Sequence, residues 1–204
     1  MATVAEVHDV AEAGPRPFDL MTDVFFQMIE LGLIPTKSRV YLWNGRIYEA
    51  MAKIVPHAVF SVMIHQALNR RLPSGRLLWP ENPIRLNERS APMPDIAVVR
   101  GEPYDYLRAS RHPGAADIGM LIEISVTSLP KDLGEKREQY AQAFVPVYWV
   151  ADVLGRRILV HTEPGIEDGR GRYGRVEPFG PGQSIPLVLD GRELDRIPYE
   201  EFLR

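Results

Sequence analysis

Two carboxylates sit where a folding chain would be expected to place apolar side chains. Asp95 follows Pro94 and opens the run Ile96–Val99, which is apolar enough for a central strand. Glu123 lies within Met120–Ile124, a continuous apolar run in which a charge is costly to bury unless it is paired or bound to metal. One helix further on stands Lys136. Two acids and an ammonium drawn from adjacent strands and the next helix can hold a divalent cation and polarise a water against a phosphodiester. That is hydrolase chemistry. Each group also has a plainer reading. Asp95 could cap its strand, and an alternating strand could turn Glu123 to solvent. Asp132, Lys136 and either Gln139 or Tyr140 share one helix face, which could be catalytic or a solvated ion pair.

The remaining composition narrows the chemistry. The chain has 204 residues, 45% hydrophobic and 25% charged, which is ordinary globular composition with apolar material for one core. With 24 Lys and Arg against 27 Asp and Glu, the net charge of -3 gives no global attraction to nucleic acid, so any binding must come from a local basic groove. The absence of cysteine excludes disulfides, thiolate nucleophiles and thiolate metal sites, leaving oxygen and imidazole as ligands and a hard cation as the natural choice. Residues 1–17 carry Glu6, Asp9 and Glu12 and no apolar run, unlike a secretory signal, and no apolar stretch reaches membrane-spanning length. The expectation is a cytoplasmic protein with no membrane partner: a flexible lead-in over 1–17, then a single domain over 18–204.

The elements that must position these residues follow from periodicity and breakers. Thr22 is placed to cap a helix carrying Val24, Phe25, Met28 and Leu31, stopped by Gly32 and Pro35. Val40–Trp43 and Arg46–Met51 read as strands around Asn44-Gly45, the dipeptide best suited to a type I′ turn. Pro56 suits a first helical turn, and Val59, Phe60, Met63, Ala67 and Leu68 continue a helix as far as Leu72. Three strands are predicted next, over Leu77–Leu86 with interruptions at Pro80 and Pro83, Asp95–Val99 and Met120–Ser125. A helix over Lys131–Phe144 then leads to a strand at Val147–Ala151. Further strands are expected at Arg157–Thr162 and Ile185–Leu189, a mobile loop at Gly165–Gly174, and a short helix at the C-terminus. This order suits an α+β fold, a mixed central sheet flanked by helices.

Several of these motifs together resemble a known family. They are Pro94-Asp95 with its apolar run, Ile122-Glu123-Ile124-Ser125, Asp132 with Lys136 and Tyr140, and the closing Tyr148-Trp149-Val150-Ala151-Asp152. The combination is similar to the Uma-two endonuclease family of the PD-(D/E)xK restriction-endonuclease-like superfamily. The likeness takes in Asn44-Gly45-Arg46-Ile47-Tyr48 and the helix near His57, covers most of residues 20–152, and extends loosely to the Pro-Tyr-Glu-Glu-Phe-Leu-Arg ending.

The resemblance implies a mixed sheet flanked by helices and magnesium-dependent phosphodiester cleavage, with DNA as the expected partner. Asp95, Glu123 and the Ile124 carbonyl would hold Mg²⁺ or Mn²⁺, and Lys136 would orient the attacking water. The superfamily places its lysine two residues after the acid, where this chain has Ser125, as the family does; the role passes to Lys136. Where the family often carries a glutamate this chain has Tyr41, which leaves the third acid open, with Glu49 on the neighbouring strand as the candidate substitute. His57 matches the family's histidine and could touch a metal-bound water or a phosphate, or bond the backbone at a helix end; His65 reads as structural. Arg70, Arg71, Arg76, Arg85 and Arg89 form the region where bases most outnumber acids, a candidate phosphate track or a solvated surface. A homodimer is compatible with the sequence. The alternative from another class is a non-cleaving interaction module on the same fold; a small-molecule metallohydrolase has no distinguishing motif.

Overall fold

A computed structural model describes residues 18–35 and 37–202. The lead-in predicted for 1–17 lies outside them. In chain order the elements are α1 (Thr22–Glu30), β1 (Val40–Trp43), β2 (Arg46–Glu49), α2 (Val55–Asn69), β3 (Arg76–Pro80), β4 (Ile96–Arg100), α3 (Pro103–Ala109) and β5 (Ile118–Ser125). A continuous helical rod follows, made of α4 (Leu129–Lys131), a π-helical turn (Asp132–Lys136) and α5 (Arg137–Gln142). The chain ends with β6 (Val147–Asp152), β7 (Arg157–Glu167), β8 (Arg170–Phe179), β9 (Ser184–Leu189), β10 (Arg192–Pro198) and a 3₁₀ turn at Tyr199–Glu201.

Six strands form the main sheet in the order β3-β4-β5-β6-β7-β8. β5 and β6 run parallel, the other neighbours antiparallel. A parallel pair needs a long crossover, and here the helical rod supplies it. This is the mixed sheet flanked by helices that the residue pattern predicts. Strands alternate their side chains between faces, so each face builds its own core. Ile96, Val98, Met120, Ile122 and Trp149 pack with α2 (Phe60, Ile64, Ala67, Leu68) and the β9–β10 hairpin. Ala97, Val99, Leu121, Tyr148 and Val150 pack with α5 through Tyr140 and Ala141, and with Trp43 of β1.

The β1–β2 hairpin closes as predicted, with positive φ at Asn44 (49°) and Gly45 (76°), as a type I′ turn requires. Three expectations need correction. Residues 165–174 are not a mobile loop but the paired tip of the β7–β8 hairpin, turning at Asp168-Gly169 with positive φ at both. The glycine content that suggested mobility has a packing cause. A Cβ on Gly171 would overlap the Glu138 carbonyl and the Gln142 amide, so strand β8 lies directly against the α5 backbone. Thr22 is not a cap: it starts the helix, and its hydroxyl donates to the Asn87 carbonyl at 2.7 Å. The strand expected over Leu77–Leu86 ends at Pro80, beyond which Pro83 offers no N–H for a ladder.

Candidate active site

Asp95 stands one residue before β4, where Pro94 cannot donate to a ladder. Continuing the β4–β5 register from Ile96↔Ile122 by one step sets Asp95 directly opposite Glu123. The same step from Pro80↔Ile96 sets it opposite Glu81, whose amide donates to the Asp95 carbonyl at 3.2 Å. Glu81, Asp95 and Glu123 therefore form a row across three adjacent strand ends. Directly opposed residues have Cβ atoms about 5 Å apart, so the row concentrates negative charge.

Two lysines divide that charge. Nζ of Lys53, from the segment between β2 and α2, lies 2.9 Å from Asp95 Oδ1 and 2.6 Å from Glu81 Oε1. Arg39 holds the other Glu81 oxygen at 2.6 Å. Nζ of Lys136 lies 2.9 Å from Glu123 Oε2 and 2.8 Å from Asp132 Oδ1. The π-helical turn ends at Lys136 and buries Asp132 beneath it, where Ser125 and Ser128 each donate to Oδ2 at 2.5 Å. Such single-turn departures from α geometry recur at functional sites. Ser125, two residues after Glu123, thus anchors the acid that holds Lys136.

The two central acids sit in different electrostatic surroundings. Asp95 is opposed by burial, but the His57 hydrogen bond and the Lys53 ammonium outweigh it and hold the carboxyl well below the usual range. It also accepts from the Ile124 amide at 2.7 Å and contacts His57 Nε2 at 3.1 Å. Glu123 is only 3% exposed. Burial pushes its carboxyl up to about 7; Lys136 opposes the rise, and the charges of Asp95 and Asp132 add to it. Tyr140 donates its hydroxyl to Glu123 Oε1 at 2.8 Å. Lys136 is held charged because its two carboxylates outweigh the burial that would discharge it.

Asp95, Glu123, Ile124, His57, Lys136 and Glu49 all line one cleft of about 260 Å³. Glu49 lies exposed on its wall, at the end of β2. The acid that reaches Asp95 is instead Glu81, through Lys53; neither residue carries a sequence signal, since both act through pairings between distant segments. His57 is directed at Asp95, an orienting contact, and its Nδ1 is buried without a partner among the described residues. The five arginines lie outside this lining. Arg70 and Arg71 pair with Glu201, Arg76 with Asp190, Arg85 with Asp23 and Arg89 with Asp19. The cations that do line the cleft are Arg39, Lys53, Lys131 and Lys136.

The donor set suits a hard cation. Mg²⁺ is commonly held by one or two carboxylates and keeps several waters. Asp95 and Glu123 supply two carboxylates in register, and the amide and carbonyl of one strand residue leave along the same edge, so the Ile124 carbonyl faces the side of Asp95. Among the described residues no group of three His, Asp or Glu side chains is arranged to hold a metal by itself. The fit is thus two acids, one carbonyl and water.

A mixed sheet with acids at adjacent strand ends and a lysine on the crossover helix defines a nuclease-like architecture. The model of the family described as "Uma2: Putative restriction endonuclease" matches residues 23–196. The chain belongs to that family. Among solved structures it is similar to the crystal structure of "a putative nuclease" from Anabaena variabilis, with a TM-score of 0.60 and 16% identity over 91% of this chain and 97% of that one. That likeness establishes the fold. No curated protein matches. No helix among the described residues is long and apolar enough to cross a membrane.

Proposed function

We propose that this chain hydrolyses phosphodiester bonds in nucleic acid, with DNA as the expected substrate, using a divalent cation held by Asp95, Glu123 and the Ile124 carbonyl. The observation that carries this reading is the opposition of Asp95 and Glu123 across β4 and β5, with Lys136 on the second acid in the same cleft. A bound Mg²⁺ or Mn²⁺ would supply Lewis-acid polarisation of a phosphoryl oxygen and a more acidic water. His57 and the Ile124 amide fix the Asp95 carboxylate, as hydrogen bonds to a ligand's remaining lone pairs do. An ammonium carries three donors; two carboxylate neighbours leave Lys136 one for the attacking water or a non-bridging phosphate oxygen, where its charge offsets the negative charge of the transition state. No covalent intermediate is required.

The test is incubation of the purified protein with plasmid, single-stranded DNA and RNA in Mg²⁺ or Mn²⁺ at low salt, with EDTA as the stop. EDTA-sensitive cleavage is the expected result; a preparation that binds Mn²⁺ and nucleic acid yet cuts none of these substrates overturns it. The non-cleaving module is favoured by one observation, that both acids already carry an ammonium each, and that experiment decides between the two.

A further inference from the structure

Between the acids and solvent the cleft has an aromatic wall. Tyr41 and Trp43 alternate onto one face of β1, and both line the cleft. Trp43 meets Tyr140 edge-on with centroids 6.3 Å apart, and Tyr140 in turn bonds Glu123. Toward solvent Tyr41 stacks on Tyr48, its cross-strand partner, at 5.7 Å and 21° between ring planes. Tyr48 is 41% exposed. The Lys131 ammonium stands 5.5 Å from the Tyr41 ring centre and 5.8 Å from that of Tyr48, and bonds the Tyr41 hydroxyl at 3.1 Å. The wall is fixed to the helical rod that carries Lys136, because Glu135 bonds the Trp43 indole and the Asn44 amide, and Gln139 bonds Asn44 Oδ1 at 2.6 Å.

Tyr41 is half-buried in the cleft wall and Tyr48 is exposed at its rim, outside the lining, with Lys131 beside both. Rings beside cations are the equipment with which proteins hold single strands: bases stack on the rings, and ammonium or guanidinium groups follow the phosphates. A duplex keeps its base faces inside the stack and would offer these rings only sugar and phosphate. Arg39 and Lys53 line the same cleft but are already paired with Glu81 and Asp95, which leaves Lys131 as the cation beside the rings. We propose that Tyr41, Tyr48 and Lys131 form a nucleobase platform, so that this cleft takes an unpaired nucleotide next to the bond to be cut. The proposal rests on the nuclease reading and adds strandedness to it.

The experiment uses the full chain in EDTA, titrated with a short single strand carrying 2-aminopurine, in DNA and RNA form, and with the matching duplex at the same salt. The expected result is fluorescence quenching by stacking and single-strand affinity at least tenfold above duplex affinity. Tyr41→Leu and Tyr48→Leu are expected to lose about tenfold of the single-strand affinity and little of the duplex affinity, consistent with the usual contribution of one stacked base. The Phe variants should bind like the parent, as should Tyr104→Leu, an exposed tyrosine on α3 outside the cleft. Tyr48→Trp should bind the single strand more tightly, a readout independent of whether the Leu variants fold. Equal single-strand and duplex affinities, folded Leu variants with parental affinity, or an unaltered Tyr48→Trp would each overturn the platform. Competition by a nucleoside monophosphate at oligonucleotide concentrations would assign the rings to free nucleotides and overturn it too. A plasmid duplex cut as readily as a single strand sinks the platform and leaves the nuclease reading standing; no binding and no cutting of any substrate removes both.

Discussion

Lys136 reaches Glu123 at 2.9 Å from the end of a π-helical turn, and the contact is buried rather than laid on the surface as an i,i+4 pair would ordinarily be. A buried ammonium shared by two buried carboxylates stabilises the fold only while all three groups are present. Lys136→Met should therefore lower cleavage by roughly a hundredfold or more, through loss of charge at the transition state, and should also destabilise the protein. Its cost at pH 8 is expected to be about 3 kcal/mol, in the range for a broken buried pair. The cost should shrink at pH 5, where Glu123 takes up a proton. Cleavage assays and thermal melts of the variant at the two pH values check this; parental activity would reduce Lys136 to a structural role.

Glu123 gives a stability prediction of definite sign. Its folded carboxyl titrates near 7, above its unfolded value of 4.5, so between those values the folded state binds more protons than the unfolded. Stability contributed by this group is therefore lost as pH rises from about 5 to 8. Glu123→Gln, which keeps an acceptor for Tyr140 and removes the charge, should gain on the parent by on the order of 2 kcal/mol between pH 5 and pH 8. Asp95, depressed by His57 and Lys53, acts in the opposite sense at much lower pH. A difference in melting temperature between variant and parent that stays constant across this range would contradict the burial argument.

Calorimetric titration with Mn²⁺ separates the two ends of the Asp95 network. Asp95→Asn should abolish the binding isotherm, and undiminished binding would take Asp95 out of the cation site. Lys53→Met removes a positive charge 2.9 Å from Asp95 Oδ1 and should tighten Mn²⁺ severalfold, because cation and ammonium compete for one carboxylate. Glu81→Gln should have the reverse effect, since Lys53 then has only Asp95 to neutralise.

The close approach of β8 to α5 links a distant strand to the site. Gly171→Val should push α5 from the sheet and carry Lys136 with it, destabilising the protein by about 2–3 kcal/mol as overpacking does. Activity should fall further than the residual folded fraction explains. Gly165→Ala in the same hairpin meets no neighbour within 4 Å and serves as the control.

The chain's local patterns determined much of this protein. Asn44-Gly45 fixed the hairpin turn, the apolar runs around Asp95 and Glu123 fixed two neighbouring strands, and helical periodicity fixed α2 and the crossover rod, because each depends on φ/ψ preference and side-chain alternation within a few residues. The pairing of Asp95 with Glu123 was legible for the same reason: a charge inside an apolar run needs a partner. What the fold alone decided are contacts whose partners lie far apart in sequence. The register of β3 on β4 brings Glu81 beside Asp95, Lys53 reaches both from the segment between β2 and α2, and the five arginines of residues 70–89 meet carboxylates drawn from both ends of the described chain. Gly171 reads as flexibility in a string of residues, and as close packing only once α5 lies against it. Long-range pairing follows from sheet register and burial, which act on the whole chain, so no window of neighbouring residues contains it.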